Sequence, residues 1–382
     1  MERGCLRPGF LHATGKRCPV FDNSAEIEIV EPRDAAKSAG LKYVSDAEPG
    51  LQRRKAGRGF VYLFADGSKL TDSDTLARIK ALAIPPAWTE VWICSHARGH
   101  IQATGRDAKG RKQYRYHPRF REVRESTKFE RLASFAGALP GIRAKVAEHM
   151  ALPGLPREKL LGTVVHLLET TLIRIGSDDY AKQNGSYGLT TLKSRHVTVG
   201  ESDVRFSFTG KSGKQWLLRV SDRRIARIIR ACQDLPGQEL LQYVDEQGNP
   251  KELNSSDVNA YLREITNADI TAKDFRTWAG TVLAAMALNE MQTFDSEAQA
   301  KRNLRNAIEA VATRLGNTPT ICRKCYIHPE VLTAYLDSQL ALDLKSKGNS
   351  ELRDNLTCLK PEEAAVLALL KVRLTLGAAH RK

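Results

Sequence analysis

The spacing of apolar residues changes its period near Ser126, and that change rules out a chain built from one kind of secondary structure. Upstream, short apolar runs are separated by turn signals: Gly59-Phe60-Val61-Tyr62-Leu63-Phe64, then Asp66-Gly67, then Val91-Trp92-Ile93-Cys94 and His100-Ile101-Gln102-Ala103-Thr104. This punctuation predicts strands, with one helix from Asp72 to about Leu82 ended by Pro85-Pro86. Downstream the period is helical. Leu161, Val164, Val165, Leu168 and Leu172 share a face, with Gly176 placed as a C-terminal cap and Arg174 in the last turn. Phe275, Trp278, Ala279, Val282, Leu283 and Met286 form a second stripe behind a capping box of Thr271 and Asp274. Leu304, Ile308, Val311 and Leu315 form a third, stopped by Gly316 and Pro319.

One β interruption lies within the helical part. Val204, Phe206 and Phe208 alternate with polar residues, and Gly210-Lys211-Ser212-Gly213 turns the chain into Lys214-Gln215-Trp216-Leu217-Leu218. The expected class is therefore α+β: a small β-rich N-terminal domain, then a larger, mainly α domain with a β-hairpin. The boundaries read as a loosely ordered extension over 1–38, the β-rich domain over 39–125, the mainly α domain over 126–345, and a C-terminal helix with a basic tail over 346–382.

Charge narrows the partner. Fifty-nine Lys and Arg against 44 Asp and Glu give +15 in 382 residues, which implies an anionic partner, nucleic acid first. No 18-residue apolar window, signal peptide or basic amphipathic helix points to a membrane. The expected setting is cytoplasmic. Seven scattered cysteines argue against a disulfide framework, and Cys322-x-x-Cys325 lacks the second pair a structural zinc site needs. Two further signals are decoys. Gly210-Lys211-Ser212 imitates a P-loop but has Arg205 where the motif requires glycine, so no nucleotide site follows. Asp178 and Asp179 are adjacent, and adjacent positions diverge, which defeats two-metal chemistry.

The run Arg314-Leu315-Gly316-Asn317-Thr318-Pro319-Thr320-Ile321-Cys322-Arg323-Lys324-Cys325-Tyr326 places a tyrosine beside two cations. A phenol with pKa about 10 needs nearby positive charge to attack anything at neutral pH. An anionic target needs the same charge. Breaking a phosphodiester in this way requires cations on the non-bridging oxygens, a proton for the leaving oxygen and a placed nucleophile. Arg174, Arg276 and Lys211 are candidates, although each alone reads as an ordinary surface cation.

Together these segments resemble the type IB DNA topoisomerases over roughly residues 42–340. Arg174, Lys211, Arg276 and Tyr326 fall in order, each within a matching local motif, on that family's catalytic arginine, hairpin lysine, second arginine and tyrosine. Nine residues before the tyrosine the viral and eukaryotic branches carry histidine. This chain has Asn317, as the bacterial branch does, whose amide donates a hydrogen bond but carries no charge. In Gly105–His117, the positions of Arg111, Gln113, Tyr114 and Tyr116 are similar to the family's DNA contacts, as are those of Tyr180 and Lys273.

The resemblance implies a C-shaped clamp that closes on duplex DNA as a monomer, associated with the nucleoid. It implies relaxation of supercoils through a 3′-phosphotyrosyl link, with no ATP, metal or other cofactor. A tyrosine recombinase is the alternative, with Lys273 where recombinases carry histidine and a β-rich first domain that fits it less well. A catalytically silent DNA-binding protein is a third.

Overall fold

The computed structural model describes residues 32–340 and 359–379, apart from 58, 109, 111, 292 and 293. Helix α1 (Pro32–Ser38) opens the described chain. The sequence predicts a loosely ordered extension over these residues. They are helical because Ala35 and Ala36 are buried beside Phe120, Ala39 and Leu41 in a small apolar cluster.

Strands β1 (Leu51–Ala56) and β2 (Gly59–Leu63), helix α2 (Ser73–Ala81), and strands β3 (Thr89–Ile93), β4 (Ile101–Arg106) and β5 (Lys112–Tyr116) form the β-rich part. The sheet is antiparallel in the order β2-β1-β3-β4-β5, so β5 is an edge. Helix α2 starts where the sequence predicts, with the Asp72 carboxylate accepting from Thr75 N at 2.8 Å, and ends with Leu82 as its cap. It covers Leu51, Val91, Ile93 and Ala103 with Ile79.

Strand β1 has no apolar signature, yet it lies inside the sheet. Only Leu51 of its six residues is buried. Arg53 supplies the rest of the anchor, donating to the carbonyls of Ile84 (3.2 Å), Pro85 (3.0 Å) and Trp88 (2.7 Å) while it stacks on Phe60.

Helix α3 (Pro118–Met150) follows β5 directly, so the helical pattern begins ahead of Ser126. His117 caps it and Pro118 occupies its first turn. Its later part packs with α4 (Arg157–Thr171) in the main core. Next come α5 (Asp178–Asn184) and the antiparallel strands β6 (Val197–Val199), β7 (Val204–Thr209) and β8 (Gln215–Val220), of which β7 and β8 are the expected hairpin. Beyond α6 (Arg223–Gln233) and the short pair β9 (Gln242–Val244) and β10 (Pro250–Glu252), the regular elements among the described residues are helices. The elements are α7 (Ser255–Thr266), α8 (Ala272–Glu290), α9 (Glu297–Leu315), α10 (Pro319–Cys325), α11 (Pro329–Leu336) and α12 (Pro361–Ala379). No helix among the described residues is long and apolar enough to cross a membrane.

Helix α12 is tied to the core by charge as well as by its leucines. Arg143 of α3 donates to Glu169 of α4 through Nε (2.8 Å) and Nη2 (2.6 Å), and to Glu363 of α12 through Nη1 (2.9 Å) and Nη2 (2.8 Å). Burial pushes Glu363 up, but hydrogen bonds from Arg143 and the Lys360 N–H outweigh it and hold the carboxyl below the usual glutamate range. Removing one partner from such a cluster strands buried charge. Arg143→Met is expected to lower unfolding free energy by about 3 kcal/mol in urea titrations. A depressed acid contributes stability above its unfolded pKa of about 4.3 and loses it as pH falls. The parent should therefore weaken more steeply than Arg143→Met on acidification below about pH 4.3.

Candidate active site

Helix α8 begins at Thr271, whose N–H donates to the Asp274 carboxylate at 2.8 Å, the expected capping interaction. The buried face beyond this cap carries one charged residue. Arg276 is buried to 3% exposure among Phe275, Trp278 and Val282. Its guanidinium reaches two helix ends: Nη1 donates to the carbonyl of Leu172, which caps α4, and Nη2 to that of Leu315, the last residue of α9, at 2.6 Å. Helix C-termini present unpaired carbonyls and partial negative charge, which a buried cation satisfies. Burial and the like charge of Arg174 push Arg276 down to about 10, while Tyr326 partly offsets them.

Helix α4 ends one turn earlier than the sequence suggests, and this relocates Arg174. Leu172 takes the left-handed conformation (φ 60°), and the chain continues extended instead of helical. Arg174 therefore sits in a strand-like segment beyond the helix. Its carbonyl accepts from Leu189 N at 2.9 Å, and that of Ile175 accepts from Thr190 N at 2.7 Å. Glycine is required where these segments meet. A Cβ on Gly188 would lie 2.5 Å from the Arg174 carbonyl oxygen, and Gly176 has φ 108° beside Thr190. Gly176 is thus a packing glycine and not the helix cap.

From this segment Nη2 of Arg174 donates to Oδ1 of Asn317 and to the Gly316 carbonyl at 3.3 Å. A guanidinium has only donors, so the amide must turn its oxygen to Arg174 and its NH2 away. That Nδ2 is buried with no hydrogen-bond partner among the described residues. Burial lowers the pKa of Arg174, against the pull of the nearby Tyr326 hydroxyl.

Tyr326 caps α10, a helix opened by Thr318 and Pro319. Its N–H donates to Cys322 O at 2.9 Å, and the Arg276 guanidinium lies 5.3 Å from its ring centre. Two residues of α8 unremarked in the sequence hold its backbone. Thr281 Oγ1 donates to the Thr277 carbonyl of its own helix at 2.9 Å, lies 3.4 Å from the Tyr326 carbonyl and accepts from His328 N at 3.1 Å. A Cβ on Gly280 would stand 2.5 Å from that carbonyl and 3.1 Å from Tyr326 Cβ. The signal for Gly280 was a glycine inside a strongly helical stripe.

Lys211 is exposed at the β7–β8 turn, where Ser212 and Gly213 adopt positive φ, with its ammonium 5.1 Å from the Tyr180 ring centre. Arg174, Tyr180, Lys211, Lys273, Arg276 and Tyr326 line one open cleft. Separate segments thus bring four cations and the Tyr326 phenol to one cleft. Such a cleft favours a phosphate beside that phenol.

Gln113, Tyr114 and Tyr116 lie on the edge strand β5 and do not line the cleft. Tyr114 is exposed and stacks on Tyr116 (5.8 Å), while Tyr116 also packs on Phe120. Gln113 points to the opposite face and donates to Asp107 at 3.0 Å. Arg111 lies outside the described residues.

Residues 117–351 match the catalytic core of eukaryotic DNA topoisomerase I, and residues 59–107 match the N-terminal domain of bacterial DNA topoisomerase IB. The chain is 31% identical over 293 residues to DNA topoisomerase 1B of Acanthamoeba polyphaga mimivirus, spanning 75% of this chain and 87% of that protein. It is 24% identical over 301 residues to DNA topoisomerase 1B of vaccinia virus (strain Copenhagen), spanning 75% and 90%.

The Gly280 contact has a testable sign. Alanine at an open helical glycine such as Gly137, where no atom meets the added methyl, should stabilise the protein by about 0.5–1 kcal/mol. Gly280→Ala is expected to destabilise by about 1–3 kcal/mol in the same denaturant titration, because backbone must move.

Proposed function

The chain belongs to the type IB DNA topoisomerases, and we propose that Tyr326 is the nucleophile with which it relaxes supercoiled duplex DNA. The family reaction breaks one strand transiently and needs no ATP, since the covalent link to the enzyme conserves the bond. In our reading the Tyr326 oxygen bonds to the phosphorus as the bond to the 5′ oxygen breaks, leaving a 3′-phosphotyrosyl link. The phenolic proton passes to solvent, and the Lys211 ammonium gives a proton to the leaving oxygen. Arg174 and Arg276 neutralise charge on the non-bridging oxygens, and Asn317 donates the hydrogen bond its Nδ2 holds in reserve. Rotation of the free end and return of the 5′ hydroxyl complete the cycle. The cations and the amide supply the stabilisation, so the reading requires no metal and no nucleotide.

The observation that carries this reading is the convergence of Arg174, Lys211 and Arg276 on the cleft beside Tyr326. Lys273 and Tyr180, in the same cleft, would contact the strand near the break. Tyr114 and Tyr116, with Gln113 and Arg111, would hold the duplex from the β-rich side. From the family resemblance we extend this reading to a monomeric clamp, with a boundary between its arms near residue 125, acting in a bacterial cytoplasm and on the nucleoid. The five-stranded sheet and the match to a topoisomerase N-terminal domain favour this over a recombinase.

In EDTA and without ATP, the parent protein is expected to relax supercoiled plasmid and to leave a protein–DNA adduct when trapped with denaturant. Tyr326→Phe should bind the plasmid and do neither. Relaxation by that variant would overturn the assignment. Asn317→Ala should slow single-turnover cleavage by about 10²-fold, the usual effect of losing one oxyanion donor.

A further inference from the structure

Gly210, the glycine that made the hairpin tip look like a P-loop, has a different use. A Cβ on Gly210 would lie 2.7 Å from the indole of Trp216, closer than carbon atoms approach. The same indole lies against Gly316, where a Cβ would stand 2.8 Å from Cζ2. Trp216 is buried, stacks in parallel on Phe208 at 6.2 Å, and is flanked by Lys214, whose Nζ donates to the Thr313 carbonyl at 3.2 Å. One ring is therefore wedged between the residue preceding Lys211 and the residue preceding Asn317.

The two sides of this wedge are not held equally. Gly316 is fixed by the end of α9 and its carbonyl accepts from Arg174. The tip is an exposed turn whose lysine has open cleft before it. We propose that Trp216 is a positioning residue: it docks the hairpin on the Gly316 corner and so sets the place from which Lys211 delivers its proton. The proposal rests on the reading of Lys211 as proton donor. As the P–O5′ bond breaks, one N–H proton moves to O5′ and leaves a neutral amine. Placement of a proton donor within hydrogen-bond reach is worth orders of magnitude in rate, whereas binding of DNA by other cations is unaffected.

The leaving group provides the test. A sugar alkoxide is nearly as basic as hydroxide, whose parent acid has pKa about 15.7, and needs the proton. A 5′ thiolate, with a parent pKa of about 8.5, does not. Single-turnover cleavage is measured on two duplexes that differ only in oxygen or sulfur at the bridging 5′ position. Trp216→Ala should slow cleavage of the oxygen-linked strand by about 10²-fold and cleave the sulfur-linked strand at near the parent's rate. Trp216→Phe, which keeps a ring between the glycines, should lie between Trp216→Ala and the parent.

Equal slowing on both duplexes, or no slowing on either, overturns the proposal. Gly210→Ala disturbs the wedge from the hairpin side and should show the same oxygen-selective loss. It decides the matter if Trp216→Ala does not fold, and equal losses with it are again fatal. Lys211→Ala, run alongside, separates the two readings. Failure of sulfur to rescue Lys211→Ala removes the proton-donor assignment itself. Rescue of Lys211→Ala without rescue of Trp216→Ala removes only the role given to Trp216.

Discussion

The site depends on one buried cation shared between two helix ends. Arg276 occupies a position in α8 that an apolar residue would otherwise take, and it is retained there by the carbonyls of Leu172 and Leu315. A buried charge is costly unless it is hydrogen-bonded, and helix C-termini are where unpaired carbonyls occur. The bonds to the ends of α4 and α9 also fix the segments that leave those helices. Arg174 lies two residues beyond the first carbonyl and Asn317 two residues beyond the second. One guanidinium thereby sets the spacing of the other arginine, the amide and the tyrosine ring above it.

Around that cation, glycines bring backbone close enough to make the cleft. Gly188 admits the segment carrying Arg174, Gly280 admits Tyr326, and Gly316 admits the indole of Trp216. Each removes a methyl that would stand less than 3 Å from its neighbour. Packed interiors do not stretch to accept such an atom, so these positions constrain the geometry as firmly as the hydrogen bonds do.

The geometry also bears on position 317, where the chain carries an uncharged amide. Arg174 and Arg276 already repel one another, and burial lowers the pKa of both. A third charge at position 317 would add to that repulsion before any phosphate arrived. The neutral amide instead accepts from Arg174, and its buried Nδ2 has no hydrogen-bond partner among the described residues. Lys211, exposed on its turn, and Lys273 supply the remaining positive charge of the cleft.

The periodicity of apolar residues determined the α+β order, the start of α2, the β7–β8 hairpin, and the stripes of α8 and α9, because core faces repeat at the pitch of the element that carries them. The resemblance to the type IB family singled out Arg174, Lys211, Arg276 and Tyr326, which the fold gathers into one cleft. Tertiary structure decided what no local window carries. Strand β1 lies inside its sheet through long-range bonds from Arg53, which resembles any surface arginine in sequence. Helix α4 stops at Leu172 because that carbonyl bonds Arg276, 104 residues away, so Arg174 lies in an extended segment and not in a helical turn. Burial of Arg276, the wedge of Trp216 and the contact of Gly280 likewise arise only when distant segments meet. Their physical cause is a partner elsewhere in the chain, and spacing along the sequence does not record it.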